Sequence, residues 1–370
     1  MVFSFIFRNF APDFIYNHEE TMGKRIRYID AVRGFTMILV VYSHICHFCL
    51  GDSLLGYNGT FFLFRLPCFF FISGWLFQGI VPCVEHVTEH TEAVPSMWPI
   101  VKKKFMVQIV PTVIFLLLLA PPPEFFHQLG TVKGGYWFTF VLFEFFLLYL
   151  LSVRCCRRWS WLLALMISIG SFCYGCYQSY LHTIAPHYDY LSPLLDMSGF
   201  LSIRLWQYYL FFYIGTLVRR HFNVFLTITN KRWVVMLLIT VFSAIALTPH
   251  PNSAVLEYLR FNLGGIFGML MVFVLFRHLY ASQRLSPIAS HLSPLEFVGT
   301  RTLDIYLLHY FFLPRFLMAY STRLHAYNNS LLEFVVIMAI ALIVLLISLL
   351  VSYIIRLSPF LGHYLFGAKK

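Results

Sequence analysis

Apolar stretches of about twenty residues follow one another along most of the chain, and short polar segments separate them. A bilayer core about 30 Å thick is spanned by about 17–25 residues of α-helix, so each stretch is long enough to cross a membrane. The pattern predicts an all-α integral membrane protein, a polytopic bundle of about ten transmembrane helices. The predicted spans are 34–50, 57–80, 105–120, 135–152, 159–176, 199–218, 233–249, 257–276, 296–318 and 331–355.

The composition excludes a soluble protein. Hydrophobic residues make up 59% of the 370 positions, charged residues make up 12%, and the mean hydropathy is +0.74. A typical soluble domain carries about 25% charged residues. The formal charge of +11 does not predict a nucleic-acid partner here, because the cytoplasmic loops of membrane proteins accumulate Lys and Arg.

The distribution of Lys and Arg predicts which side of the membrane each loop faces. With a cytoplasmic N-terminus, the inner segments hold 20 of the 27 Lys and Arg residues. The outer loops hold Lys133 and Arg323, and Arg204, Arg260 and Arg315 lie at outer helix ends. Both termini are therefore expected in the cytoplasm. The inner segments are 1–33, 81–104, 153–158, 219–232, 277–295 and 356–370.

One predicted membrane domain, residues 24–356, accounts for most of the chain. A cytoplasmic tail of residues 1–23 is expected before it, and a short cytoplasmic tail of residues 357–370 after it. Met22 stands directly before Gly-Lys-Arg-Ile-Arg, which raises the hypothesis that translation starts there. The eight cysteines fall mostly inside or beside apolar runs and do not predict a disulfide framework. One helix cannot wrap the His and Cys residues of HICHFC around a tetrahedral zinc ion, so no metal site is predicted.

Two polar groups share one face of the first predicted helix. Arg33 and His44 are eleven residues apart in the segment IDAVRGFTMILVVYSHICHF. At about 100° and 1.5 Å per residue, His44 returns to within about 20° of Arg33, roughly 16 Å deeper. An ionisable group at that depth costs on the order of several kcal/mol unless it has a partner. The pair is therefore predicted to carry the chemistry, and a structural interhelical hydrogen bond is the alternative for His44.

Two further ionisable groups are expected near the depth of His44. His309 lies about a dozen residues into an outward-running ninth span, or about 18 Å, and Glu144 lies about nine residues into an inward-running fourth span. Three such groups at one level predict a shared polar cavity, in which Glu144 could orient an imidazole. An ordinary hydrogen-bond network is the alternative for His309 and Glu144.

Four segments carry a likeness to a known family. They are RYIDAVRG with Ser43-His44 in the first span, RLPCFFFISGW in the second, GYWF in the fourth and GTRTLDIYLLH in the ninth. Together they resemble acyltransferase family 3, integral-membrane enzymes that O-acylate bacterial surface sugars, and in particular its fucose 4-O-acetylase-like branch. The likeness covers nearly all of residues 24–356, and its most specific element is an arginine followed, after ten other residues, by a histidine.

The resemblance implies transfer of an acyl group from acyl-CoA to a sugar hydroxyl, with Arg33 and His44 matching the family's essential pair. A neutral imidazole can accept the hydroxyl proton as a general base, and a guanidinium at the inner mouth suits the phosphates of CoA. The roughly 16 Å between the two residues is comparable to the reach of an extended pantetheine arm.

The predicted site residues fall into three groups: His44, Glu144 and His309 for catalysis, Arg33, Asp30 and Ser73 for the donor, and Arg65 and Trp137 for the acceptor. Besides His44, His309 and Glu144, structural alternatives remain open for three more of them. Asp30 is one turn from Arg33 and could simply pair with it. Arg65 could pair with a neighbouring helix, and Ser73-Gly74 could permit close helix packing.

The leading hypothesis is a multi-pass O-acyltransferase of the bacterial cytoplasmic (inner) membrane that modifies an envelope or extracellular polysaccharide or its lipid-linked precursor. Acetyl-CoA is the expected donor, succinyl transfer is an alternative, and no permanently bound cofactor is predicted. The expected partners are acyl-CoA, the glycan or lipid-linked sugar, and the bilayer. The competing hypothesis is a glycan or small-solute transporter or flippase, because intramembrane ionisable residues also mark transport paths. The sequence lacks the internal repeat common in transporters.

Overall fold

The computed structural model describes residues 26–51, 56–80, 97–120, 124–125, 135–155, 159–184, 202–249, 253–281 and 291–367. Within these ranges every regular element is a helix, which confirms the all-α prediction. The α-helices are α1 (Arg27–Cys49), α2 (Asn58–Gln78), α3 (Trp98–Lys104), α4 (Val110–Leu119), α5 (Trp137–Cys155), α6 (Ser160–Ile184), α7 (Tyr209–Arg220), α8 (Phe222–Thr229), α9 (Arg232–Leu247), α10 (Ala254–Ala281), α11 (Ser293–Thr300), α12 (Thr302–Leu308), α13 (Ser321–Ala326), α14 (Ser330–Arg356) and α15 (Pro359–Phe366). A π-helical turn forms Phe105–Ile109, and 3-10 turns form Ile203–Tyr208, His309–Phe311 and Arg315–Tyr320.

Several of these helices are long and apolar enough to cross a membrane. In the part of the chain that the structure describes they number five, namely α1, α2, residues Ser160–Tyr177 of α6, α10 and α14. The pair α8 and α9, bent by 85°, makes a sixth if it forms one span. On α14, large apolar side chains such as Ile343, Leu346 and Leu350 are exposed, and soluble proteins rarely expose contiguous apolar surface on that scale. The chain is an integral membrane protein. The predicted number of ten spans is not confirmed by length and composition.

The difference in number arises because several predicted spans consist of shorter helical pieces. The third, 105–120, contains the π-helical turn Phe105–Ile109, directly before α4. Pro111 follows this turn and has no amide hydrogen for a helical bond. The ninth, 296–318, is not one continuous helix: Arg301 has non-helical backbone angles (φ −112°, ψ 16°) between α11 and α12. After α12 it continues as a 3-10 turn, His309–Phe311, which ends before Pro314, and a second 3-10 turn begins at Arg315.

The chain divides into two compact units. The first consists of Met1–Ile72 and His221–Ser352 and holds α1, α8 to α13 and most of α2 and α14. The second consists of Ser73–Arg220 and Tyr353–Lys370 and holds α3 to α7, α15 and the ends of α2 and α14.

In the first unit, α1 and α11 pack with their backbones in contact. A methyl group on Gly34 would overlap the carbonyl oxygen of Leu295, and one on Gly299 would overlap the carbonyl oxygen of Asp30. Small residues permit this close approach between membrane helices. A bidentate pair extends the contact: Arg27 donates from Nε to Glu296 Oε2 at 3.0 Å and from Nη2 to Oε1 at 2.9 Å. These contacts fix the register of α1 against α11.

The bend between α8 and α9 is held by two residues of α10. Arg277 donates from Nη2 to the side-chain oxygen of Asn230 at 2.8 Å and to Thr229 Oγ1 at 3.3 Å. His278 Nε2 lies 2.9 Å from the carbonyl oxygen of Thr229. The polar groups exposed by the break in the helix therefore find partners within the first unit, as the apolar surroundings require.

In the second unit, the end of α2 packs closely on α7. A methyl group on Gly74 would overlap the carbonyl oxygen of Phe212, so the packing alternative for Ser73-Gly74 is confirmed at Gly74. The predicted tail 357–370 contains α15, which packs against α4 with the rings of Phe115 and Phe366 5.9 Å apart. The predicted tail 1–23 lies outside the described residues.

Replacing Gly299 by alanine should destabilise the protein, because the added methyl group has no space between α11 and α1. Overpacking costs about 1–3 kcal/mol, so the melting temperature in detergent should fall. Gly170→Ala in α6 is the matched control, because no atom lies within 4 Å of the added carbon. In an exposed helix this substitution stabilises by about 0.5–1 kcal/mol. Equal melting temperatures for the two variants would contradict the close packing.

Candidate active site

The first helix carries both members of the predicted pair. α1 is unbroken from Arg27 to Cys49, so Arg33 and His44 lie on one face of it, separated by about 16 Å along the axis. The two residues on either side of His44, Ser43 and Ile45, are buried, whereas His44 itself is half-buried. The imidazole is therefore held by the helix bundle and still partly accessible.

His44 contacts His309 directly. Nδ1 of His44 lies 2.7 Å from Nε2 of His309, a hydrogen-bonding distance. The two rings are nearly parallel, with centroids 4.9 Å apart and an interplanar angle of 12°. His309 is fully buried, and its other ring nitrogen, Nδ1, lies 2.9 Å from the carbonyl oxygen of Ile305. The structure thus brings together the two histidines that the depth calculation placed at one level.

Tyr310 packs against both imidazoles. Its ring centroid is 5.1 Å from that of His44 and 4.2 Å from that of His309. Ring contacts of this kind restrict how far either imidazole can rotate about its side-chain torsions. No role was predicted for Tyr310, although it directly follows His309 within the predicted ninth span.

Arg33 is anchored at the break between α11 and α12. It donates from Nη2 to Thr302 Oγ1 at 2.6 Å, and its Nη1 lies 3.6 Å from Asp30 Oδ1. Asp30 therefore pairs with Arg33, and its role in donor binding stays a prediction. The Arg33 side chain is still 29% exposed, so the same guanidinium can also meet a ligand. The contact of Thr302 with Arg33 was not predicted, because the ninth span was expected to be one continuous helix.

Arg65 belongs to the same unit and interacts electrostatically with His44. It is buried, and it donates from Nη1 to the side-chain oxygen of Asn58 at 3.2 Å. Its guanidinium carbon lies 5.3 Å from the ring centroid of Phe62. The Asn58 bond shows that Arg65 has a structural partner, and its contact to the acceptor stays a prediction.

The remaining predicted site residues lie in the second unit. Glu144 is half-buried on α5 and accepts hydrogen bonds from the backbone N–H of Ser202, at 3.2 Å to each carboxylate oxygen, and from Trp206 Nε1 at 2.6 Å. Trp137, half-buried at the start of α5, has its ring 6.3 Å from that of Tyr208. Ser73 is half-buried beside Gly74. The roles of these three residues in catalysis and binding stay predictions.

In the ranges that the structure describes, no three side chains of His, Cys, Asp or Glu are grouped closely enough to hold a metal ion. Cys46, Cys49 and Cys68 are buried and form no disulfide among the described residues.

The comparison with known families decides the class of the protein. A family model described as an acyltransferase domain matches residues 26–355, which include Arg33, His44 and His309. The chain belongs to acyltransferase family 3. It is therefore a membrane acyltransferase, as the motifs of the first, second, fourth and ninth spans indicate. No curated protein and no solved structure matches the chain.

Replacing Glu144 by alanine should destabilise the second unit, because Trp206 Nε1 and the N–H of Ser202 lose their acceptor. Leaving such donors unpaired costs about 1–3 kcal/mol, which unfolding in detergent would detect. Glu144→Gln, which keeps one acceptor oxygen, should be less affected. A loss of activity in both variants with unchanged stability would instead support the catalytic role predicted for Glu144.

Proposed function

We propose that this acyltransferase moves an acyl group, most simply acetyl, from cytoplasmic acyl-CoA to a hydroxyl of an envelope or extracellular polysaccharide or its lipid-linked precursor. The proposal rests on one observation, namely the hydrogen bonding and partial exposure of the His44 imidazole. Its Nδ1 is held by the buried His309, and within the described residues its Nε2 has no hydrogen-bond partner. A half-buried imidazole with one engaged and one available nitrogen is suited to general-base catalysis.

The proposed reaction needs a group that accepts the proton of the attacking hydroxyl and then donates a proton to the departing CoA sulfur. Nε2 of His44 takes the proton of the acceptor hydroxyl while that oxygen attacks the thioester carbonyl. The new C–O bond forms, the C–S bond breaks, and the CoA sulfur leaves with the proton that His44 returns. The products are the O-acyl sugar and CoA with a free thiol, and His44 is neutral again. One imidazole therefore serves both halves of the transfer.

Arg33 is proposed to hold the phosphates of the donor. Guanidinium groups bind phosphate oxygens through paired, charge-assisted hydrogen bonds. Asp30 and Thr302 hold the guanidinium in place from one side, and its exposed fraction is left for the ligand. The distance of about 16 Å along α1 to His44 suits an extended pantetheine arm. Donor and base are thereby aligned along one helix face.

The acceptor class is proposed from the family and from the membrane setting. The resemblance to the fucose 4-O-acetylase-like branch favours a sugar hydroxyl, and the charge asymmetry of the loops favours a donor side in the cytoplasm. Arg65, which lies within electrostatic range of His44, is the proposed contact for the acceptor in the first unit. The protein is proposed to reside in the bacterial inner membrane.

His44→Ala should lower the rate of acyl transfer by about 10²–10⁴-fold, the usual contribution of a general base. Inverted vesicles that contain the protein, labelled acetyl-CoA and a membrane glycan fraction would measure the transfer of label. His47→Ala is the matched control, because His47 is on the same helix and exposed, and it should keep its activity. Normal labelling by His44→Ala would refute the proposed base. Movement of the glycan across the membrane without any labelling would favour a transporter.

Arg33→Ala should lower kcat/KM for acetyl-CoA roughly 10- to 100-fold, because hydrogen bonds to charged groups contribute about 1.5–3 kcal/mol. With S-acetyl-N-acetylcysteamine, a thioester without phosphates, the variant and the wild type should be equal. Arg260→Ala, which removes a guanidinium held by Glu257 at 3.2 Å, should behave as wild type with both donors. An equal loss with both thioesters would show that Arg33 does not act on the phosphates.

A further inference from the structure

The hydrogen bond between His309 and Ile305 has a fixed direction. A backbone carbonyl oxygen can only accept, so Nδ1 of His309, 2.9 Å from the Ile305 oxygen, must carry a hydrogen. A neutral imidazole has one N–H and one lone pair. Nε2 of a neutral His309 therefore presents its lone pair to whatever lies opposite.

The group opposite is Nδ1 of His44, 2.7 Å away. Since His309 Nε2 accepts, His44 Nδ1 must donate and so carries the hydrogen of the neutral His44 ring. The lone pair of His44 is then on Nε2, the nitrogen without a partner in the part of the chain that the structure describes. The carbonyl of Ile305 thus sets the tautomers of both rings through two successive hydrogen bonds.

We propose that His309 is the positioning residue of the site: its Nε2 holds His44 in the tautomer with hydrogen on Nδ1 and the reactive lone pair on Nε2, and it retains that bond when His44 is protonated during transfer. The catalytic part of this inference rests on the proposed function, whereas the tautomer of His44 does not. In this arrangement His309 takes the place that a carboxylate has behind the histidine of a Ser-His-Asp triad.

The reverse tautomer is excluded by the same geometry. With hydrogen on Nε2 of His44, two nitrogen lone pairs would face each other at 2.7 Å. A second hydrogen on His309 would remove that clash, but it would place a full positive charge on a residue with 0% exposure. No carboxylate lies within ion-pairing distance of His309 among the described residues. Burying an unpaired charge is expensive, so the neutral acceptor is the arrangement that the site supports.

A neutral acceptor also suits the position of the site in the protein. A carboxylate behind His44 would be an anion buried within a membrane bundle, where ionised groups are costly. An imidazole offers the same lone pair without net charge, and the Ile305 carbonyl keeps it in the accepting tautomer. During transfer the hydroxyl proton goes to His44 Nε2 and leaves from there to the CoA sulfur. No proton needs to move to His309.

The tautomer can be tested without any substrate. The protein is labelled with ¹⁵N-histidine and reconstituted in lipid nanodiscs, and the ring nitrogens of His44 are assigned by comparison with His44→Ala. We expect a protonated, pyrrole-type signal for Nδ1 and an unprotonated, pyridine-type signal for Nε2. In His309→Leu the Nδ1 preference should be lost. A wild-type His44 with hydrogen on Nε2 would overturn the inference, whether or not acyl transfer has been detected.

Kinetics of two variants test the positioning role. Leucine at position 309 makes neither hydrogen bond, so His309→Leu should lower kcat at least about 10²-fold while KM for acetyl-CoA stays nearly constant. Glutamine can place its amide N–H₂ toward the Ile305 carbonyl and its oxygen toward His44 Nδ1. His309→Gln should therefore recover a large part of kcat and restore the wild-type tautomer signal.

The control is His278→Leu, which removes a partly buried hydrogen bond of another histidine in the same unit and should leave kcat within a few-fold of wild type. Equal losses of kcat in His309→Leu and His309→Gln, with both proteins folded, would show that the acceptor atom is not what matters and would refute the positioning role. A correct His44 tautomer together with no acyl transfer by the wild type would refute the proposed function alone.

Discussion

The close contact between α1 and α11 is the constraint on which the site depends. Gly34 and Gly299 let the two backbones approach to a distance that no side chain larger than hydrogen tolerates. Contacts that follow this crossing along α1 are then determined by helix geometry. Arg33 contacts Thr302, just beyond the end of α11. His44 lies further along the same face of α1 and contacts His309. A rotation of either helix would separate both pairs at once, because each pair depends on the same register.

Every ionisable group placed inside the bundle by the sequence analysis has a polar partner in the structure. Arg33 has Asp30 and Thr302, His44 has His309, and Glu144 has Trp206 and the backbone of Ser202. This is what the cost of unpaired polar groups in a membrane requires. The presence of a polar partner therefore does not distinguish catalytic ionisable groups from structural ones. Glu144 has both carboxylate oxygens engaged, whereas His44 keeps one ring nitrogen available.

The sequence predicted the positions of the site residues along the helix axes better than the contacts between neighbouring helices. Residue spacing along a helix gives depth, and this was enough to place Arg33 below His44 and His309 beside His44. Spacing does not tell which way a neighbouring helix is rotated, so Thr302 and the Ile305 carbonyl could not be identified. The break at Arg301 was also hidden, because GTRTLDIYLL has helix-compatible residues throughout and the interruption depends on tertiary contacts. Short helical pieces such as α4, α11 and α12 likewise fall within predicted full spans when only hydropathy is considered.

The two histidines are chemically alike, and their surroundings decide which one can act as the base. His309 has both ring nitrogens engaged and no exposed surface, so a substrate hydroxyl cannot reach it. His44 is half-buried and has Nε2 available, so it is the member of the pair that can meet both the hydroxyl and the thioester. In the proposed mechanism, the Ile305 carbonyl acts from a distance of two hydrogen bonds, because it orders the protons of His309 and through them those of His44. The asymmetry of the pair therefore comes from burial and from one backbone acceptor rather than from any difference between the side chains.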